Sequence, residues 1–249
     1  LSVPLPSVDF GPLMDDLSKE FTVVIIEYFG VGFSSQTADK RSNENIVREI
    51  REVLLGVEIK PPYILMPHSA SGIYAEYYAS VFPDEIAGLI MMDTTSSATV
   101  EKDVPQFVYS LSYFFQKLGL TVIVNYVVTF FLLKRKYGYT KEQQTYYRKF
   151  YNNVMNPTVI DQNIEFIQNV KEVQCLDFPA WIPVLKLIAK SSVKQLGFQY
   201  QQDHLQRLGS QAKYMILPGH HFLYQKLSKE IFIEVKKFVQ TNFETEVFE

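Results

Sequence analysis

The chain has 249 residues, 47% hydrophobic, 14% aromatic and 20% charged, with a formal net charge of -3. That length and apolar content suit a domain with a real core and exclude a disordered chain. The near-balanced charge argues against a nucleic-acid surface, and a single cysteine, Cys175, excludes an intrachain disulfide framework or a multi-cysteine metal site.

In chain order, the unbroken β-branched run Phe21 to Ile26 predicts a strand buried on both faces, as in a parallel sheet. A glycine-punctuated loop, Glu27-Tyr28-Phe29-Gly30-Val31-Gly32-Phe33-Ser34, follows it. Asn43 to Gly56 reads as an amphipathic helix with Ile46, Val47, Ile50, Val53 and Leu54 on one side. Pro61-Pro62 breaks the chain before a short strand, Tyr63 to Met66. A helix from Gly72 to Phe82 ends at Pro83, and Ile86 to Met92 is a third strand. Alternating strand and helix is the signature of a parallel α/β sheet with right-handed crossovers.

The rhythm stops after Asp93. Residues 98–178 predict helices over Val104–Leu118, Thr121–Lys136, Thr140–Asn153 and Pro157–Val173, with Pro157 in a first turn. The run Leu118–Leu133 is too short and too polar for a bilayer span of about 20 apolar residues. Followed by Lys134-Arg135-Lys136, it reads as a buried or membrane-facing helix. Strand and helix then resume: Val184–Ala189, Gln199–Leu208, Tyr214–Leu217 and Lys229–Phe243. The domain expectation is a core of residues 1–97 and 179–249 split by a helical insertion at 98–178, too long to be a bare loop.

One turn carries chemistry. Tyr63-Ile64-Leu65-Met66-Pro67-His68-Ser69-Ala70-Ser71-Gly72 runs from a strand straight into a helix. A serine on such a tight turn stands clear of the sheet, and the helix N-terminus presents free N–H groups to developing negative charge. Ser69 would be a nucleophile and the Ala70 N–H an oxyanion donor. The plainer alternative is that Ser69 or Ser71 caps the following helix.

With its motifs in order, the chain resembles the α/β-hydrolase family. Gly30-Val31-Gly32-Phe33-Ser34 resembles that family's G-x-G-x-S loop, here after Glu27. His68-Ser69-Ala70-Ser71-Gly72 resembles its nucleophile elbow, Ile86 to Asp93 its next strand, and Pro218-Gly219-His220-His221-Phe222 its terminal histidine loop. The insertion sits where the family places its cap. The resemblance implies an α/β fold: a mostly parallel hydrolase sheet with helices on both faces, an inserted helical cap, and N-terminal strands missing. Pro67 stands where the elbow normally opens with glycine, and proline sits poorly in a central strand. Ser71 replaces a second glycine.

A serine hydroxyl needs a base, usually histidine, and an acid that fixes its tautomer. His204 lies in a polar helix and reads as solvated, and His68 adjoins the nucleophile. The resemblance places the base at His220 or His221, favouring His221 because Phe222 follows it. The family's usual acid position, near Ala189-Lys190-Ser191-Ser192-Val193, holds no carboxylate. The alternative family position holds Asp93; Asp203 is the second candidate. The chain starts at or past the expected glycine-rich oxyanion turn, leaving Ser2 or Val3 as candidates for the second donor.

The resemblance therefore implies a serine hydrolase of small apolar esters, carboxylesterase- or lipase-like, needing no metal or organic cofactor. A non-catalytic small-molecule-binding protein on the same fold is the alternative. The insertion's Phe107, Tyr109, Phe114, Phe115, Tyr126, Phe130, Phe131, Tyr146, Tyr147 and Phe150 read as cap core or as an apolar acyl pocket. The same segment suggests weak membrane-surface contact. The lone thiol and the lack of a basic-then-apolar leader suggest a cytoplasmic setting. Nucleic acid is not an expected partner, and the oligomeric state is left open.

Overall fold

The computed structural model describes residues 4–100, 104–122, 127, 130, 131, 133–151 and 154–243. The chain divides into two compact units: Leu1–Ser42 with Lys102–Phe166, and Asn43–Glu101 with Ile167–Glu249. The elements up to the middle of the chain are α1 (Pro6–Asp9), α2 (Gly11–Leu17), α3 (Asn43–Gly56), β1 (Tyr63–Leu65), α4 (Ser71–Val81) and β2 (Ile86–Met92). Next come α5 (Gln106–Lys117), α6 (Lys141–Tyr151) and α7 (Pro157–Gln174). The chain ends with β3 (Val184–Ala189), α8 (Lys190–Leu196), α9 (Phe198–Leu208), β4 (Ala212–Leu217) and α10 (Ser228–Phe243).

The second unit holds a four-stranded sheet in the order β1-β2-β3-β4, parallel throughout. Leu89 pairs with Val184, and Val184 in turn with Ala212. The interior strands β2 and β3 are buried along nearly their whole length, as their unbroken apolar runs require. Leu89 and Met91 point to one face, where they pack with Val47 of α3, Ala75 and Tyr78 of α4 and Leu208 of α9. Gly88 points the other way, against the Phe238 ring of α10, and a Cβ there would lie 3.0 Å from that ring. Helices therefore cover both faces of this sheet.

The first unit is helical. Leu5, Leu133, Tyr139 and Tyr147 form one apolar cluster, and Val31, Met155 and Val159 another. Glu27 organises the glycine loop. Its carboxylate accepts the Phe33 N–H at 2.7 Å and the Ser7 hydroxyl at 2.8 Å. Gly32, at φ +56°, lies so close to that carboxylate that a Cβ would sit 2.2 Å from it. A cavity of about 350 Å³ opens here, lined by residues of this unit, among them Val31, Ser34, Gln36, Tyr113 and Met155.

Three expectations are corrected. The run 21–26 is extended but joins no ladder. No other described segment of its own unit is a strand, and Thr22 and Val24 face solvent, so its backbone has no strand partner there. The short helices α1, α2 and α8 were not expected, because they carry little of the 3.6-residue periodicity that reveals longer ones. Of the expected helix 121–136, residues 121, 122, 127, 130 and 131 are helical, Arg135–Tyr137 form a 3-10 turn, and 123–126, 128, 129 and 132 lie outside the described residues. Among the described residues, no helix is long and apolar enough to cross a membrane.

Candidate active site

The site is built at the C-terminal ends of adjacent parallel strands in the second unit. After β1, the chain makes one further parallel bridge, between His68 and Met92. The Met92 N–H donates to Pro67 O at 2.8 Å, and the Ser69 N–H donates to Met92 O at 3.3 Å. Pro67 thus contributes its carbonyl to the ladder, and its missing N–H is not asked for. That resolves the conflict between proline and a central strand.

Ser69 then takes φ +55°, a left-handed conformation rare for a residue with a side chain. The turn is fastened by Ser71 N–H to His68 O at 3.2 Å and Thr95 N–H to Ser69 O at 3.1 Å. Gly72 is the position where only glycine fits: a Cβ there would lie 2.6 Å from Thr94 Cβ. The elbow's demand for a small residue therefore falls on Gly72, and Ser71 is free to carry a hydroxyl. Among the described residues, the Ala70 N–H at the head of α4 meets no protein acceptor. Ser2, the proposed second donor, lies outside the described residues.

His221 bridges the other two groups. Its Nδ1 lies 2.7 Å from Asp93 Oδ2 and its Nε2 lies 2.9 Å from Ser69 Oγ. The carboxylate can only accept from Nδ1–H, so Nε2 is left to accept the serine hydroxyl. Asp93 follows β2 at φ +46° and is almost wholly buried. Its Oδ1 accepts the Ala189 N–H at 2.8 Å, and its Oδ2 also accepts the Ser192 hydroxyl at 2.6 Å. Burial by itself would raise the Asp93 pKa. The hydrogen bonds from His221, Ser192 and Ala189 outweigh it and hold the carboxyl below its ordinary value.

The remaining candidates fall away from this line. His220 Nδ1 accepts the Phe222 N–H at 3.2 Å, and burial lowers its pKa. Asp203 accepts from Gln199 on the exposed side of α9. His68 is buried beneath the site. Its Nε2 donates to the His221 carbonyl at 2.9 Å, and the two rings stand 4.5 Å apart. Burial, and then the neighbouring His221, lower its pKa to about 3. It is therefore a neutral positioning group for the His221 backbone.

His204 is not solvated, contrary to the sequence expectation. It is fully buried, accepting from the Lys186 ammonium at Nδ1 and donating from Nε2 to Glu76 at 2.7 Å. The Ser97 hydroxyl also donates to Glu76, and Arg207 Nε donates to Ser97 at 2.9 Å. Arg207 further donates to the Val173 carbonyl in the last turn of α7 and to the Leu176 carbonyl just past it. This buried chain ties the helix behind Ser69 to the strand that leads to Asp93's Ala189 partner. Ser192 and this network are the residues that sequence reasoning missed. A lysine inside the apolar run VLKLIA and a glutamate on the buried helix α4 were the available signals.

The described chain has counterparts of known fold. Two proteins of Bacillus subtilis (strain 168), the uncharacterized YbdG and YqjL, are 37% and 30% identical over 91 and 87 residues. These stretches cover 36% and 35% of this chain but only 28% and 34% of the relatives, so the chain spans about a third of their length. Among solved structures, a thermophilic esterase from Thermogutta terrifontis matches with TM-score 0.68 at 14% identity, covering 96% of this chain and 87% of that one. A bromoperoxidase from Bacillus anthracis matches with TM-score 0.70 at 15% identity, covering 96% and 90%. At such identity these structures speak for the fold alone. The family model described as the alpha/beta hydrolase fold matches residues 7–225, and the chain belongs to that family.

Proposed function

We propose that the protein is a serine hydrolase that cleaves small apolar carboxylic esters through an acyl-enzyme. The observation that carries this is the continuous line Asp93–His221–Ser69, with both hydrogen bonds in catalytic reach. Ser69 Oγ attacks the acyl carbon while its proton passes to His221 Nε2. The oxyanion is met by the Ala70 N–H at the positive end of α4. His221 then protonates the departing alkoxide, which leaves as the alcohol. Water attacks the acyl-enzyme, giving its proton to His221. Collapse releases the carboxylic acid and returns the proton to Ser69. Asp93 keeps its charge throughout and stabilises the imidazolium.

This chemistry needs neither metal nor organic cofactor. The aromatic content of residues 98–178 supports an uncharged, apolar ester. A fluorophosphonate probe tests the reading. It should label wild-type protein at Ser69 and leave Ser69→Ala unlabelled, with p-nitrophenyl acyl ester hydrolysis lost in parallel. Labelling elsewhere, or undiminished hydrolysis by Ser69→Ala, would sink it.

A further inference from the structure

The cavity of about 350 Å³ in the first unit has walls fixed by hydrogen bonds. The Gln116 side chain at the end of α5 donates to Met155 O at 2.6 Å and accepts the Met155 N–H at 2.8 Å. The Asn156 amide donates to Gly30 O at 2.6 Å and accepts the Val159 N–H at 3.1 Å. Gly30, at φ +80°, can come this close because it has no Cβ; one would lie 2.8 Å from the Asn156 amide oxygen. The end of α5, the glycine loop and the residues just ahead of α7 are thus held in one frame. The volume lies within the range of small-molecule sites. None of the lining residues belongs to the Asp93–His221–Ser69 line.

The lining has two characters. Val31, Tyr113, Phe150 and Met155 give it apolar and aromatic wall. Lys117 is the one charged residue among those that line it. Its ammonium lies 5.2 Å from the Tyr113 ring centre, and among the described residues no carboxylate pairs with it. Gly32, Ser35 and Gln36 also line the cavity, and among the described residues their N–H groups meet no protein acceptor. Glu27, the acid that organises this loop, does not line the cavity, and its oxygens already accept from Phe33 and Ser7. An unpaired cation beside unspent N–H donors, with no acid in the wall, favours a negatively charged group. One ammonium balances one carboxylate. A phosphate dianion would ask for a second cation, which the wall lacks.

We propose that this cavity binds a small monocarboxylate with an apolar or aromatic body. The carboxylate meets the Lys117 ammonium and the N–H groups of the loop. The body lies against Tyr113, Phe150 and Met155, where it leaves water. The proposal stands whatever bond Ser69 cleaves.

Isothermal titration of the full chain tests it with benzoate, 4-phenylbutyrate and hexanoate, each beside its neutral amide. At least one acid should bind at millimolar concentration or below. Its amide should bind about 10- to 100-fold more weakly, the worth of a charge-assisted hydrogen bond. Lys117→Gln should weaken the acid by a similar factor and leave the amide unchanged. Circular dichroism should not change, because Lys117 is an exposed residue in the last turn of α5. Lys117→Arg, which keeps the charge, should retain most of the binding. Equal binding of acid and amide, or undiminished binding of the acid by Lys117→Gln, would overturn the proposal. So would inorganic phosphate binding more tightly than every acid, or failure of all three acids to bind at millimolar concentration.

Discussion

Asp93 and His221 meet through a 2.7 Å hydrogen bond although they are separated by 128 positions in the chain. Asp93 is offered from the end of β2, not from the turn after β3, yet it is anchored by that stretch: Ala189 closes β3 and Ser192 lies in the first turn of the next helix. The turn that would ordinarily supply an acid here supplies donors to one. Asp93→Asn would preserve the shape but present an amide that favours the wrong imidazole tautomer. In the serine-protease example of the same exchange, kcat falls about 10⁴-fold. A comparable fall is expected here, measured as kcat for a p-nitrophenyl ester, and a loss below tenfold would remove Asp93 from the role.

Ser69 sits at φ +55°, and that conformation costs a residue with a Cβ about 1 kcal/mol or more. Ser69→Gly should therefore unfold at higher denaturant concentration than Ser69→Ala, even though both are expected to lack activity. The expected gap is about 1 kcal/mol, reduced somewhat by the greater freedom of glycine in the unfolded chain. Urea titrations of the two variants measure it directly. Ser69→Ala proving the more stable of the pair would show that the turn stores no strain at this residue.

Much of this was legible beforehand because several signals agreed. The runs Ile86–Met92 and Val184–Ala189 coincide with their strands to the residue, since interior parallel strands need unbroken apolar sequence. Ser69, Asp93 and His221, singled out from strand-to-helix context and motif order, lie within hydrogen-bond reach of one another. The segment 21–26 has the same β-branched composition but no strand partner in its unit, and pairing is not written in composition. Ser192 was invisible because the expected signal was a carboxylate, and the chain uses a hydroxyl donor at that place instead. His204 misled because its sequence neighbours Gln201, Gln202 and Asp203 are polar, while the helix turns His204 itself inward.

His68 gives a pH prediction. Its pKa in the fold is depressed to about 3, first by burial and then by His221, against an ordinary value of 6.5. The unfolded chain therefore binds a proton that the folded chain refuses. Stability is fully present above 6.5 and is lost as pH falls from there toward 3, by at most about 1.4 kcal/mol per pH unit from this group. Burial depresses His204 in the same sense. Asp93 adds a separate loss, beginning only as pH falls through its ordinary value of 3.8 toward its depressed one. In heteronuclear NMR the His68 ring resonances should not titrate between neutral pH and the onset of acid unfolding. A midpoint near 6.5 for His68 would contradict its burial as a neutral group.

The buried line Lys186–His204–Glu76–Ser97–Arg207 gives a stability prediction that is deliberately non-additive. Burial lowers the Lys186 ammonium to about 8, with Glu76 and then Asp93 opposing the fall. Glu76 is fully buried and takes donors from both sides. Removing Glu76 alone, as Glu76→Leu, strands Lys186 and Arg207 without their shared counter-charge, which typically costs about 3–5 kcal/mol. Removing the apposed groups together, as Glu76→Leu with Lys186→Met and His204→Leu, leaves far fewer unpaired groups. The triple variant should then lose less stability than the three single losses summed, by about 2 kcal/mol or more. Urea unfolding of wild type, the three single variants and the triple variant checks this. Because the line starts on β3 and passes through α4, the single variants should also lower kcat with little change in KM, since they loosen Ser69 and Asp93 but touch no substrate. Additive losses across the set would mean that these side chains act as independent packing residues and not as one network.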